Sequence, residues 1–250
     1  MSSVAIKNAV EIDKMRRGGK LAAQVLDELS RAIKPGVSTL DLDFLAESII
    51  ARTGAKPSFK GFHGYPAATC ISINDEVVHG IPSDRIIEDG DIVGIDVGVY
   101  LEGFHTDTAI TVPVGNVEER SKKLINVTKQ SLLNGLAKIK AGAYLGDAQE
   151  KIQKTIESAG FGVIRDLTGH GVGKELQEAP SIPNYGQKGK GLLLQEGMTL
   201  AIEPMASMGD WHVDSLSDGW TVVTADGQPS AHFEHTIVVT KNGFEILTKL

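Results

Sequence analysis

Cysteine is almost missing from this sequence. Cys70 is the only one among 250 residues, so no intrachain disulfide can form and a reducing compartment is the natural setting. An excess of positive charge is missing too. The formal net charge of -7 removes the electrostatic reason to expect nucleic acid or an anionic membrane as partner. No apolar run reaches the length of about eighteen residues that a membrane span needs, and the start, MSSVAIKNAVEIDKMRRGG, has no apolar stretch of the kind a secretory leader carries. Linker-like and low-complexity segments are likewise absent. What remains is a chain with 41% hydrophobic residues, long enough to bury a core as one large or two small domains. Its expected place is the cytosol, and its expected partners are small molecules or peptides.

The most informative stretch runs from Asp91 to Val112, DIVGIDVGVYLEGFHTDTAITV, with Asp96 and Asp107 inside two apolar runs. A carboxylate in the middle of an apolar strand is costly unless a cation compensates it. Leu101-Glu102-Gly103 reads as a hairpin turn, and pairing across it places Asp96 opposite Asp107 or one step diagonal to it, on one face. On the first strand that face also carries Gly94 and Gly98, while Val93, Ile95, Val97 and Val99 fill the other. One face packs and the other is cleared around an acid.

Along the rest of the chain, Ile12, Met15, Leu21, Ala22, Val25, Leu26 and Leu29 recur at helical spacing between Glu11 and Ile33, and Lys34-Pro35-Gly36 stops the helix. Thr39 is placed to cap a second helix to about Arg52, closed by Gly54. Residues 55–66 read as a loop, 67–73 as a short strand and 74–88 as a loop carrying His79. Helical periodicity returns over about 117–139 and 146–159, and strands and loops follow from Phe161.

The chain also repeats itself. A slide of 106 residues sets Ile33-Lys34-x-Gly36 on Ile139-Lys140-x-Gly142, Asp41 on Asp147 and Gly54 on Gly160; a slide of 107 sets Asp96 on Glu203. A larger shift lays Asp107-Thr108-Ala109-Ile110-Thr111-Val112 on Glu234-His235-Thr236-Ile237-Val238-Val239. The simplest account is an internal duplication, with halves of roughly 10–115 and 116–250, in which each half gives two helices, a strand pair and two carboxylates. Four acids in apolar strands can then converge on a pseudo-twofold axis. With one neutral imidazole, supplied by Gly169-His170-Gly171-Val172-Gly173, they suit two divalent cations about 3.5 to 4 Å apart.

In order and context, Asp96 (IDVG), Asp107 (HTDT), His170 (GHGVG), Glu203 (IEP) and Glu234 (EHTIVVT) resemble the metal site of the type I methionine aminopeptidases. The resemblance extends to Phe62-His63-Gly64-Tyr65-Pro66, Cys70-Ile71-Ser72-Ile73-Asn74 and Val78-His79-Gly80-Ile81-Pro82, and so covers nearly the whole chain. It implies an α/β (α+β) fold of the pita-bread type. Two pseudo-symmetric halves would form a central curved sheet covered by helices, in one catalytic domain over residues 1–250. The N-terminal zinc-binding extension of some eukaryotic relatives and the large N-terminal domain of prolidases are expected to be absent.

The activity implied is hydrolytic removal of the initiator methionine from nascent proteins in the cytosol. The cofactors implied are two divalent ions, drawn from cobalt, manganese, iron, zinc or nickel, which make hydroxide available near neutral pH. One ion would also bind the free N-terminal amine. Glu203 is the candidate for proton transfer as well as a ligand, and His79 is expected to hydrogen-bond near the scissile amide. The family's methionine pocket maps to Phe59, Phe62, Tyr65, Cys70, Leu176 and Trp220. Gln177 stands where the family usually has a second histidine; its amide can still donate a hydrogen bond to substrate but cannot carry a proton. A monomer is expected, and association with the ribosome is an expectation carried from the family. A Xaa-Pro peptidase on the same scaffold and a catalytically weakened binding module are the alternative readings.

Overall fold

The computed structural model describes residues 4–250, so the first three residues of the start considered above lie outside it. The order of elements explains how two cores arise. Helix α1 (Ala9–Ala32) begins at a capping box: the Asn8 side chain accepts the Glu11 N–H, and the Glu11 carboxylate accepts the Asn8 N–H. Helix α2 (Thr39–Ala51) is capped by Ser38 and not by Thr39. Ser38 Oγ accepts the Asp41 N–H at 3.0 Å, while the Thr39 hydroxyl is spent on the Ser83 carbonyl. Both helices cover a sheet built from β1 (Lys56–Pro57), β2 (Thr69–Ile73), β4 (Ile92–Leu101) and β5 (Phe104–Pro113). Strand β3 (Glu76–Val78) lies in the segment expected to be loop. Its partner lies far along the chain, beyond the reach of local pattern. The expected loop over 55–66 likewise contains β1 and a 3-10 turn over Phe62–Gly64.

The second part repeats the plan. Helices α3 (Glu119–Leu136) and α4 (Leu145–Glu157) cover β7 (Thr168–Gly171), β8 (Glu178–Pro183), β9 (Thr199–Ile202), β14 (His235–Thr240) and β15 (Gly243–Ile246), paired in the order β15-β14-β9-β7-β8. Helices α2 and α4 each have 13 residues, and their ends stand 106 residues apart, Thr39 to Leu145 and Ala51 to Glu157. Smaller sheets join β6 (Gly162–Val163) and β13 (Ser230–His232) to β10 (Met205–Ser207), and β3 and β11 (Val213–Ser215) to β12 (Val222–Thr224).

Each pair of helices buries its apolar stripe on its own sheet. Val25, Leu29, Leu42 and Ile50 pack against Ile71, Ile73 and the row Val93, Ile95, Val97 and Val99, all almost fully excluded from water. Leu124, Leu132, Leu136, Ile152 and Ile156 pack against Leu200, Ile202, Ile237 and Val239. At about 25 cal/mol per Å² of apolar surface removed from water, these layers are the main source of stability. The two sheets meet where β5 runs beside β14 and the break that precedes it, and hydrogen bonds hold the seam. The Asp107 N–H donates to Thr236 Oγ1 at 2.9 Å and Thr236 Oγ1 donates back to the Asp107 carbonyl at 2.8 Å. Thr108 Oγ1 donates to the Glu234 carbonyl at 2.9 Å, and the Glu234 N–H donates to the Ala109 carbonyl at 2.8 Å.

Candidate active site

The hairpin turns at Glu102-Gly103, both with positive φ, and its register decides how the first two acids meet. Asp96 faces Ala109 and Asp107 faces Gly98, so the acids are diagonal neighbours on one face. The small residues on that face have a purpose. A β-carbon on Gly98 would lie 2.7 Å from Phe59 Cε1, so Gly98 admits the aromatic wall beside the acids. Gly169 does the same next to His170: a β-carbon there would lie 2.4 Å from the Ala201 carbonyl oxygen, which keeps β7 tight against β9.

Glu203 and Glu234 depart from their expected place inside strands. Glu203 follows the last residue of β9, and Glu234 falls in the break between β13 and β14. Proline at 204 and the seam contacts of Glu234 interrupt the ladders there. The side chains still converge, because the seam brings Glu234 beside Asp107 and the Asn184 amide donates to the Glu203 carbonyl at 2.9 Å. Ligating atoms of Asp107, His170 and Glu234 lie within 4.8 Å of one another, and His170 Nε2 lies 3.5 Å from Glu203 Oε1. His170 Nδ1 is 2.9 Å from the Gly171 carbonyl oxygen. A carbonyl can only accept, so the ring proton sits on Nδ1 and the Nε2 lone pair points into the cluster.

The electrostatics of this cluster ask for cations. Burial pushes Asp96, Glu203 and Glu234 well above the usual carboxylate range and also raises Asp107. Neighbouring acids add to the shift: Asp107 and Glu203 act on Asp96, and Asp107, Glu203 and Asp96 act on Glu234. Among the described residues no lysine or arginine forms an ion pair with any of the four. Asp96 Oδ1 and Glu234 Oε1 are buried without a hydrogen-bond partner, and a buried carboxylate oxygen left unpaired is costly. Four acidic oxygen donors and one neutral imidazole nitrogen form a donor set suited to hard or borderline divalent ions. The residues present fit such a group.

All the nominated site residues line one cavity of about 390 Å³: Asp96, Asp107, His170, Glu203 and Glu234, together with His79, Gln177, Phe59, Phe62, Tyr65, Cys70, Leu176 and Trp220. Phe59, Tyr65, Cys70 and Leu176 form a buried apolar cluster, against which Phe62 and Trp220 pack. Tyr65 meets Trp220 edge to face at 5.0 Å, and its hydroxyl lies 3.0 Å from the carbonyl oxygens of both Thr69 and Gly80. The Cys70 thiol is pushed well up by burial first and by Asp96 next, which keeps it protonated as part of the wall. His79 is held at positive φ, with its ring near Trp220. Burial and then His170 lower its pKa, so its ring is neutral at physiological pH. Gln177 lies on the exposed side of the loop following β7.

His232, His63, Asp166, Leu167, Thr168 and Met205 had not been singled out. His63, Asp166, Leu167, Thr168 and Met205 line the same cavity. His232 is buried, with Nε2 3.6 Å from Glu203 Oε2. Strand alternation could have found it, because it lies two residues before Glu234.

Similarities to known proteins now place the chain. The family model for metallopeptidase family M24 matches residues 13–241, and the chain belongs to that family. Within it, a methionine aminopeptidase from Clostridium perfringens is 49% identical over 245 residues, 98% of both chains. The crystal structure of a methionine aminopeptidase from Thermotoga maritima superposes with a TM-score of 0.98 at 51% identity, covering 99% of this chain and 100% of that one. A prolidase from Pyrococcus furiosus shares 25% identity at a TM-score of 0.79, but this chain covers only 65% of it. The fold is the pita-bread arrangement of this family, as the sequence motifs implied.

Proposed function

We propose that this protein removes the N-terminal methionine from polypeptides by metal-dependent hydrolysis, with two divalent ions held by Asp96, Asp107, His170, Glu203 and Glu234. The observation that carries this reading is the convergence of five ligand side chains, buried or half-buried, on the cavity that the apolar cluster around Tyr65 also lines. Bound divalent ions supply Lewis acidity, which makes hydroxide available near neutral pH. The chain's own residues do the rest. Phe59, Phe62, Tyr65, Cys70, Leu176 and Trp220 offer a dry chamber to an unbranched thioether side chain and exclude water from it. Glu203, besides its place among the proposed ligands, is the candidate to pass a proton to the leaving nitrogen. Neutral His79 donates a hydrogen bond toward the scissile amide, and Gln177 offers a second donor that never becomes cationic.

Residues 1–250 are read as one catalytic domain with duplicated halves, roughly 10–115 and 116–250; the common 106-residue offset of α2 and α4 supports this. The expected substrates are nascent chains met in the cytosol by a monomeric enzyme, with the ribosome as a candidate docking partner. No described helix is long and apolar enough to cross a membrane.

The test uses the purified protein with manganese, iron or cobalt, given a Met-Ala-Ser peptide and an Ala-Pro peptide. Methionine released from the first peptide alone supports the reading. Cleavage of the second points to the Xaa-Pro alternative, and no hydrolysis by folded protein with any metal leaves only a binding module. Asp96→Asn or Glu203→Gln is expected to lower turnover at least about 1,000-fold with the circular dichroism spectrum unchanged, a loss typical of removing a group that acts on the transition state.

A further inference from the structure

Resting on the proposed function, we infer that His232 is a positioning residue for Glu203, donating a hydrogen bond from Nε2 to Oε2 and so leaving Oε1, on the His170 side, for the metals. Glu203 lies between two imidazoles, with Oε1 3.5 Å from His170 Nε2 and Oε2 3.6 Å from His232 Nε2. The two rings are not equivalent. His170 carries its proton on Nδ1, toward the Gly171 carbonyl at 2.9 Å, so its Nε2 is a bare lone pair facing a carboxylate oxygen. Two acceptors facing each other call for a cation between them. His232 Nε2 has no such assignment imposed on it; it is buried and makes no hydrogen bond.

A neutral imidazole has one N–H. On Nε2 of His232, that proton satisfies both the ring nitrogen and Glu203 Oε2 after a shift of a few tenths of an ångström, which is what metal ligation of Oε1 would draw in. The backbone that carries the ring is fixed to β5. The His232 N–H donates to Thr111 Oγ1 at 2.9 Å, and Thr111 Oγ1 donates to the His232 carbonyl at 3.0 Å. His232 thus ties Glu203, at the end of β9, to β5, the strand that carries Asp107.

The test compares His232→Gln, whose amide keeps a donor, with His232→Leu, which fills similar volume without one. Metal-free protein is titrated with cobalt(II) by calorimetry, the visible spectrum of bound cobalt is recorded, and thermal unfolding of the metal-free forms checks the fold. His232→Leu is expected to weaken metal binding about 10- to 100-fold, the usual cost of losing a partner that orients a ligand, and to shift the cobalt bands. His232→Gln should stay within a few-fold of the parent with its spectrum retained. Unchanged affinity and spectrum in His232→Leu would overturn the inference. So would an equal loss in both variants, since a donor would then not be what matters. If His232→Leu does not fold, His232→Met carries the same comparison. Failure of the parent protein to bind cobalt would instead count against the metallopeptidase reading, so the two failures are separable.

Discussion

At the scale of single residues, the carboxylates divide by what surrounds them. Asp43 is buried like Asp107 and Glu234, but its Oδ1 accepts hydrogen bonds from the Ala68 and Thr69 N–H groups and from the Thr69 hydroxyl at 2.7–3.0 Å. Satisfied acceptors make it a structural acid that holds the approach to Cys70. Burial nevertheless raises its pKa above the ordinary 3.8. The folded state therefore binds this proton more tightly than the unfolded chain. Its favourable contribution is complete below about pH 3.8 and is lost as pH rises through the higher folded value. Asp43→Asn keeps the acceptor oxygen and removes that loss. Relative to the parent, its thermal midpoint should rise more between pH 3.5 and pH 6, as scanning calorimetry would register. Gln177 poses a different single-residue question. Gln177→His should leave cobalt affinity unchanged and raise turnover severalfold, because an imidazole can carry the proton that an amide cannot; steady-state kinetics across pH is the measurement.

At the scale of elements, the loop between β7 and β8 carries both Leu176 and Gln177 into the cavity, and a buried ion pair organises it. Glu178 accepts the Lys174 and Glu175 N–H groups at 2.7 and 3.3 Å and pairs with Lys7, whose side chain is almost fully buried. Lys7 is itself anchored by its N–H on the Gly197 carbonyl at 2.8 Å. Lys7→Met removes one partner of a buried pair, at a cost of about 3 kcal/mol in stability. It should raise KM for a methionyl peptide more than it lowers kcat, because the pocket wall loosens while the ligands stay in place. Urea unfolding and peptide kinetics together check this.

Elements also show what could be read from the sequence. The Asp96–Asp107 hairpin was legible because its alternation is local: four apolar residues on one face, glycines and an acid on the other. The choice between facing and diagonal acids was not, since it turns on the two-residue turn at Glu102-Gly103. Strand β3 was missed because Val78 pairs with Val222 across 144 positions, and no local pattern encodes that. His232 was missed because an isolated histidine beside Phe233 reads as core unless its two-residue spacing from Glu234 is followed.

At the scale of the whole molecule, the four mutually repelling acids oppose folding and divalent ions reverse the sign. Removing metal with a chelator should lower the thermal midpoint, and adding manganese at about 100 times its dissociation constant should return about 2.7 kcal/mol of stability. Differential scanning fluorimetry against manganese concentration checks this. Asp96→Asn should raise the midpoint of the metal-free protein and blunt the response to manganese, because the same change removes a repulsion and a ligand.

The seam that joins Asp107 to Thr236 and Glu234 sets a condition on when the protein can work. During synthesis the N-terminal sheet is made early and has its own core, yet it holds only two of the five acids and imidazoles. The other half of the seam is translated 127 residues after Asp107. A chain that ends before Glu234 lacks one of the proposed ligands and half of the seam, so it cannot assemble the candidate site. The candidate site is thus a property of the completed chain, because its acids come from both sides of the seam.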